Sequence, residues 1–276
     1  MVTERAAGMA RRMRPLLGTY VEVAAVDAVA PDACIEAAFA AIRAVHERLS
    51  FHEPDSELSR LNRSAGVQIR LSPLSQRVLR LARGLQIASG GLFNCTVGGA
   101  LVQGGHLPDH GGGEVVSIGD ASDLVFKGST VRLSRPVRIT LDGIAKGFAI
   151  DLATAALKRH GARAGWVNAG GDMRVFGDLT LPVARPDGQG GLEPLGGIRN
   201  AALATSRVTD FDDHSFHGRI VSQRGVAECG QWSVIARHAW RADALTKVAA
   251  LARGHQRGEL LARLGGREVD GAAQAH

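Results

Sequence analysis

The segment Asp142-Gly143-Ile144-Ala145-Lys146-Gly147 contains the residue types that a phosphate site needs. A turn that opens a helix presents unpaired backbone N–H groups to an anion, and a lysine one turn into the helix adds a positive charge. The same pattern also fits an ordinary capped helix with a surface lysine. It does not have the Walker spacing of P-loop nucleotide-binding proteins.

Two other segments have both a functional and a structural explanation. Asn168-Ala169-Gly170-Gly171-Asp172 fits a bulged turn at which two backbones approach closely. The run from Asp210 to His217 places His214 and His217 three residues apart, so on a helix they could share a transition metal. No Cys lies close in sequence and Asp-rich turns are common, so we interpret the run as a solvated turn.

Hydrophobic periodicity predicts the elements that position these segments. Alternation predicts strands over residues 19–25 and 165–167, and Gly170-Gly171 interrupts the second strand before it resumes at residues 173–176. Ser72 is a suitable N-cap and Pro73 a suitable first helical residue. Helices are predicted over residues 31–49, 73–88, 143–160 and 240–253.

The remaining stretches read as loops and short strands. Residues 104–113 are rich in Gly and should form a loop that buries little. Residues 115–141 are predicted to form several short strands. Residues 178–200 contain extended segments at most.

The composition excludes several classes of protein. Of 276 residues, 45% are hydrophobic and 22% are charged, so the chain as a whole is not disordered. No stretch reaches the roughly 18 uncharged apolar residues that span a bilayer. The net charge is +6, but the arginines are scattered without interleaved aromatics, which argues against a nucleic-acid partner.

The sequence shows no linker or internal repeat, so we expect one compact α+β domain over residues 14–276 after a disordered basic arm over residues 1–13. Arg11-Arg12 is not followed by an apolar h-region or by a Cys that could be lipidated, which predicts a cytoplasmic protein. The cysteines at 34, 95 and 229 are odd in number and widely spaced, as expected for reduced thiols.

Five segments occur in an order and spacing that resemble the ApbE family, the FAD:protein FMN transferases. The resemblance covers roughly residues 14–255 and implies an ApbE-like fold of mixed sheets with packed helices. The segments are Pro54-Asp55-Ser56-Glu57-Leu58-Ser59-Arg60-Leu61-Asn62, Gly91-Leu92-Phe93-Asn94-Cys95-Thr96-Val97-Gly98, Gly143-Ile144-Ala145-Lys146-Gly147, Asn168-Ala169-Gly170-Gly171-Asp172 and Ala242-Asp243-Ala244-Leu245.

The resemblance implies an enzyme that binds FAD with Mg²⁺, splits the FAD pyrophosphate and attaches FMN through a phosphoester to a Thr or Ser of an acceptor flavoprotein, releasing AMP. It assigns the metal to Gly143, Asp243 and Thr246, and oxygen ligands of this kind suit Mg²⁺. It assigns FAD contacts to Leu17, His52, Leu92, Phe93, Asn94, Asp142, Lys146 and Ile220.

Several positions depart from the family pattern. Thr140 stands where the family has an Asp, and Lys247 stands where the family commonly has a Thr near the metal. Thr246 shares a helical face with Asp243 and could supply the lost ligand, whereas a Lys247 ammonium would compete with Mg²⁺ for the diphosphate.

The segment that supplies a His near the reacting hydroxyl in the family matches this chain least well. His217 is our candidate general base, with Arg219 at the position where the His aligns most simply. The alternative is that His217 is a loop residue with no catalytic task. Two hypotheses therefore stay open at this level: an FMN transferase, or a diverged FAD-binding module or FAD pyrophosphatase without transfer activity.

Overall fold

A computed structural model describes residues 8–111, 113–187, 190–209 and 220–269. The helices are α1 Pro31–Leu49, α2 Glu57–Arg63, α3 Pro73–Ala88, α4 Gly98–Gln103, α5 Ala145–Arg159, α6 Ala239–Leu251 and α7 Gln256–Arg263. The strands are β1 Met9–Leu16, β2 Thr19–Val26, β3 Ile69–Arg70, β4 Leu124–Lys127, β5 Thr130–Leu133, β6 Ala164–Ala169, β7 Asp172–Phe176, β8 Leu181–Pro186, β9 Leu192–Ile198, β10 Ala202–Val208, β11 Gly230–Ala236 and β12 Gly266–Glu268.

An antiparallel sheet with the strand order β1-β2-β6-β7-β10-β11-β12 forms the centre of the molecule. Successive side chains of a strand point to opposite faces, so Val23 and Ala24 of β2 enter two different apolar clusters. Helices α1, α5 and α6 pack on one face. The cluster on the other face includes Val183 of β8 and Ile198 of β9, which form a separate hairpin. This arrangement confirms the prediction of one compact α+β domain.

The helix predictions are confirmed with small shifts at the ends. Helices α1 and α3 have the predicted bounds, and the Ser72 hydroxyl accepts the Ser75 N–H at 3.3 Å as the N-cap of α3. Helix α5 begins two residues later than predicted, at Ala145. None of the helices in the described ranges has the length and hydropathy that a bilayer span requires.

The predicted disordered arm is wrong for residues 9–13, because these residues belong to β1. The strand pairs with β2 over its full length, from Met9 opposite Val26 to Leu16 opposite Thr19. Arginines of β1 also pair with carboxylates of α1, as in the 3.1 Å contact between Arg12 Nη2 and Asp32 Oδ1. Backbone pairing and charge pairing together order a segment whose composition alone suggests disorder. Residues 1–7 lie outside the described residues.

Gly170 and Gly171 reverse the chain instead of interrupting one strand. Both have positive φ, at 61° and 97°, and Ala169 lies directly opposite Asp172 in the ladder. A two-residue hairpin turn with positive φ at both positions favours glycine. A Cβ at Gly170 would also lie 2.7 Å from Thr19 Oγ1, so the turn packs closely against the start of β2.

Two other predictions need correction. Residues 115–141 contribute only β4 and β5, which join β3 in a small separate sheet. Residues 104–111 form a loop as expected, yet Leu107 within it is buried at 8% exposure. The Leu107 side chain enters the main hydrophobic cluster, although Gly, His, Pro and Asp surround it in the sequence.

Gly147 allows the start of α5 to contact the start of α6. A Cβ at Gly147 would lie 2.2 Å from the Ala239 carbonyl oxygen, which is backbone and cannot rotate away. We expect Gly147→Ala to lower the free energy of unfolding by about 1–3 kcal/mol, measured by urea denaturation. Gly84→Ala in α3 is the matched control, because open space surrounds Gly84 and alanine is the better helix former. Equal stability of the two variants would contradict this contact.

Candidate functional site

A cavity of about 300 Å³ lies at the start of α5, between the segment that precedes α4, the end of β10 and helix α6. This volume is at the lower end of the range for small-molecule sites. The sequence-predicted site residues that line it are Leu92, Phe93, Asn94, Asp142, Gly143, Lys146 and Ile220. Part of the lining is therefore apolar, which we call the apolar wall, and part of it carries charges.

The apolar wall is anchored in the hydrophobic core. Phe93 is buried at 4% exposure, and its backbone N–H donates to the Ser89 hydroxyl at 3.1 Å, beyond the end of α3. Leu92 and Ile220 pack against the same core from the rim of the cavity. A wall of this kind suits a flat apolar ring system.

Asn94 shapes the cavity mainly by holding its own loop. Its side-chain oxygen accepts the Gln86 side-chain N–H at 2.7 Å, the Thr96 backbone N–H at 2.7 Å and the Thr96 hydroxyl at 2.6 Å. Its side-chain nitrogen donates to the Gly119 carbonyl at 3.2 Å. These contacts of Asn94 fix the conformation of the loop that lines the cavity.

Lys146 supplies the cation predicted at the start of α5. Its ammonium lies 3.0 Å from Oδ2 of Asp172, a residue of β7 that is almost fully buried. The other oxygen of Asp172 accepts the Thr205 N–H at 3.1 Å. Burial lowers the pKa of Lys146, but the carboxylates of Asp172 and Asp243 outweigh burial and raise the pKa above its ordinary value. Lys146 therefore carries its charge at neutral pH.

Asp142 lies at the edge of the cavity, one residue before Gly143. The Thr140 hydroxyl donates to Oδ2 of Asp142 at 3.0 Å. Asp142 is exposed, but the nearby protein still raises the pKa of its carboxyl by desolvation, while the Thr140 hydrogen bond and His52 oppose the shift. Thr140 stands at the position where the family has an Asp, and here its hydroxyl donates a hydrogen bond to the carboxylate of Asp142.

Asp243 lies directly beneath the cavity and joins α5 to α6. The carboxylate is 1% exposed, and its Oδ2 accepts the backbone N–H of Gly147 at 3.0 Å. Helix α5 has no N-cap side chain of its own, so Asp243 satisfies one of the N–H groups that a helix start leaves unpaired. Its Oδ1 accepts the Lys247 ammonium at 2.7 Å.

Four predicted site residues do not line the cavity. Leu17 forms the β1–β2 turn with Gly18, at a φ of 56°, and packs against the rim of the core. His52 is exposed after α1. Asp243 and Thr246 are buried below the cavity floor. His217, the predicted general base, and Arg219 lie outside the described residues.

The prediction did not include several residues that line or support the cavity. Asp172 belongs to a segment that the family resemblance marked, so a signal for it was present in the sequence, and Ser206 lines the cavity from β10. His106 and Arg207 also line the cavity. Neither stands in a recognisable motif, so only the fold shows that they belong to the site.

The residues assigned to Mg²⁺ do not fit a divalent cation. Both oxygens of the Asp243 carboxylate are engaged, one by a backbone N–H and one by the Lys247 ammonium. The Thr246 hydroxyl donates to the Asp243 carbonyl at 2.7 Å and lies 2.6 Å from the Ser206 hydroxyl. Mg²⁺ needs oxygen ligands directed at it. Within the described ranges, no group of three or more His, Cys, Asp or Glu side chains is placed to hold a metal.

Comparisons with known proteins support the resemblance found in the sequence. A model of the ApbE family matches residues 17–269. The FAD:protein FMN transferase of Rhodobacter capsulatus is 36% identical over 137 residues. This alignment covers 44% of the present chain and 26% of the Rhodobacter protein, so the chain matches about a quarter of that relative's length.

Solved structures share the fold at low sequence identity. The flavinyl transferase ApbE of Pseudomonas stutzeri has a TM-score of 0.77 at 19% identity, covering 92% of this chain and 87% of that one. The flavin transferase ApbE of Vibrio cholerae has a TM-score of 0.75 at 18% identity, with 97% and 98% covered. The ApbE protein of Thermotoga maritima has a TM-score of 0.79 at 21% identity, with 97% and 96% covered. Because the family model spans nearly the whole chain, this protein belongs to the ApbE family.

Proposed function

We propose that this protein is a FAD:protein FMN transferase that splits FAD and attaches FMN through a phosphoester to a Thr or Ser of an acceptor flavoprotein, releasing AMP. The observation that carries the proposal is the pairing of the Lys146 ammonium with an apolar wall at Phe93 in one cavity. FAD has the same two parts, an apolar ring system and a charged diphosphate. Membership of the ApbE family supports the same reaction.

The reaction exchanges one phosphoester bond for another. The acceptor hydroxyl oxygen bonds to the phosphorus on the FMN side of the diphosphate, and the bond from this phosphorus to the bridging oxygen breaks. AMP leaves with the bridging oxygen, and the hydroxyl proton passes to a base. A positive charge near the diphosphate favours this step because negative charge grows on the leaving phosphate.

Lys146 and the start of α5 supply this positive charge in the proposal. The N-terminal end of a helix carries a partial positive charge. Asp172 holds the Lys146 ammonium in place, and Thr205 in turn holds Asp172. Positioned charges of this kind need little reorganisation as the reaction proceeds, which is how electrostatic stabilisation lowers a barrier.

His217 is the proposed general base that takes the proton from the acceptor hydroxyl. The assignment rests on the sequence resemblance, since His217 lies outside the described residues. The proposed reaction uses no Mg²⁺ at Asp243, because both oxygens of the Asp243 carboxylate are already engaged.

The experiment that tests the proposal incubates the full chain with FAD and a peptide that carries one Thr. We expect AMP and a peptide whose mass has increased by one FMN less one water, in equal amounts. AMP without peptide labelling would instead identify a FAD pyrophosphatase. FAD that binds but stays intact would identify a binding module.

Lys146→Met provides a variant test of the same site. Hydrogen bonds to charged groups contribute enough that we expect FAD to bind about tenfold to a hundredfold more weakly, measured by quenching of flavin fluorescence. Lys158→Met is the matched control, because Lys158 lies near the opposite end of α5 and does not line this cavity. Equal FAD affinity in the two variants would contradict the proposed position of the diphosphate.

A further inference from the structure

The Lys247 ammonium contacts Asp243, the carboxylate of the ligand set that the resemblance assigns to Mg²⁺. Its Nζ lies 2.7 Å from Oδ1 of Asp243, 3.2 Å from the backbone carbonyl oxygen of Asp243 and 3.1 Å from the Ser206 hydroxyl. A Cβ at Gly143 would lie 3.5 Å from Cε of Lys247, so the side chain also passes beside Gly143. A carboxylate, a carbonyl and a hydroxyl oxygen therefore surround one ammonium group.

Lys247 also faces the proposed FAD cavity. Its side chain is 21% exposed and lines the same cavity as Lys146. The two longer contacts, to a hydroxyl and to a backbone carbonyl, are the ones that a phosphate oxygen can replace. The 2.7 Å contact with the Asp243 carboxylate keeps the ammonium in place.

We propose that the Lys247 ammonium takes the place of a divalent metal beside Asp243, so that this protein binds the diphosphate of FAD without Mg²⁺. The inference rests on the proposed function, because it names how the same site neutralises its substrate. Lys146 and Lys247 bring two ammonium groups to the diphosphate, each held by a buried carboxylate, Asp172 and Asp243 respectively. A divalent cation at Asp243 would have to displace the ammonium from its buried carboxylate, and repulsion between the two cations opposes this.

The experiment compares FAD binding to the full chain in EDTA and in excess Mg²⁺, by quenching of flavin fluorescence. We expect the parent protein to bind FAD with the same Kd in both buffers, within about twofold. Lys247→Thr, which restores the family residue, should bind about tenfold to a hundredfold more weakly in EDTA and recover in Mg²⁺. Lys247→Met, which keeps the length of the side chain without its charge, should bind weakly in both buffers. Equal affinity of Lys247→Met and the parent overturns the inference.

A second measurement does not depend on FAD. Mn²⁺ binding is followed by electron paramagnetic resonance in the absence of FAD. The parent protein should bind no Mn²⁺ that depends on Asp243, so Asp243→Asn should leave its Mn²⁺ binding unchanged. Lys247→Thr should gain one Mn²⁺ site, and adding Asp243→Asn to this variant should remove it. A parent protein that needs Mg²⁺ for FAD binding, or that binds Mn²⁺ at a site lost in Asp243→Asn, overturns the inference and leaves the proposed transferase standing. Failure of the parent to bind FAD in either buffer overturns both. The parent comparison needs no variant, so the test stands even if a substitution disturbs folding.

Discussion

Replacing His217 by alanine is expected to lower the rate of FMN transfer to a Thr-bearing peptide by about 10²–10⁴-fold, the usual contribution of a general base. The acceptor hydroxyl loses its proton as its oxygen attacks phosphorus, and alanine cannot accept that proton. FAD affinity should stay unchanged, because the base acts on the acceptor and not on FAD. The measurement is the initial rate of peptide labelling at saturating FAD.

His214→Ala is the matched control for this variant. His214 lies three residues before His217 in the same Asp-rich run. If the run were only a solvated turn, the two substitutions would have the same small effect. An unchanged rate in His217→Ala, or an equal decrease in His214→Ala, would contradict the assignment of His217 as the base.

Replacing Asp243 by alanine is expected to lower the free energy of unfolding by about 3 kcal/mol, measured by urea denaturation. The carboxylate is buried and serves two partners, the Gly147 N–H and the Lys247 ammonium. Its removal leaves a buried donor without an acceptor and an ammonium without its counter-ion. Alanine is the better helix former, so the loss cannot be assigned to the intrinsic helix propensity of α6.

Two controls separate these contributions. Asp243→Asn keeps an oxygen that can accept the Gly147 N–H but removes the charge, so its loss should be smaller than that of Asp243→Ala. Asp32→Ala removes a carboxylate that is 75% exposed in its pair with Arg12, and should change stability by less than about 1 kcal/mol. A loss in Asp243→Ala no larger than in Asp32→Ala would show that Asp243 does not hold the two helices together.

Local patterns predicted those elements whose signals lie within one segment. Helix α3 was predicted with its observed bounds because Ser72, Pro73 and a regular apolar spacing mark its start and its buried face. The strands around Gly170-Gly171 were less well predicted. A pair of glycines fits both a bulge and a reversal, and the pairing of β6 with β7 decides for the reversal.

The strands of residues 115–141 were also predicted poorly from local sequence. Apolar residues are frequent in this stretch, but only Leu124–Lys127 and Thr130–Leu133 form strands. Strand pairing depends on which neighbour is available, and β5 finds partners in both β3 and β4. Intrinsic β-propensity carries no information about that choice.

The candidate site likewise has features that the sequence predicts and features that only the tertiary structure shows. The residues of this one chain suffice to identify the ApbE family and to place a lysine at the start of a helix, because both signals depend on local order and spacing. Only the tertiary structure pairs Lys146 with Asp172 and inserts the Lys247 ammonium between Asp243 and Ser206. Lys247 and Ser206 are 41 residues apart, and Asp243 and Gly147 are 96 residues apart. Contacts over such separations depend on how helices and strands pack, and this packing determines whether a lysine near a metal motif is a surface charge or occupies the metal's place.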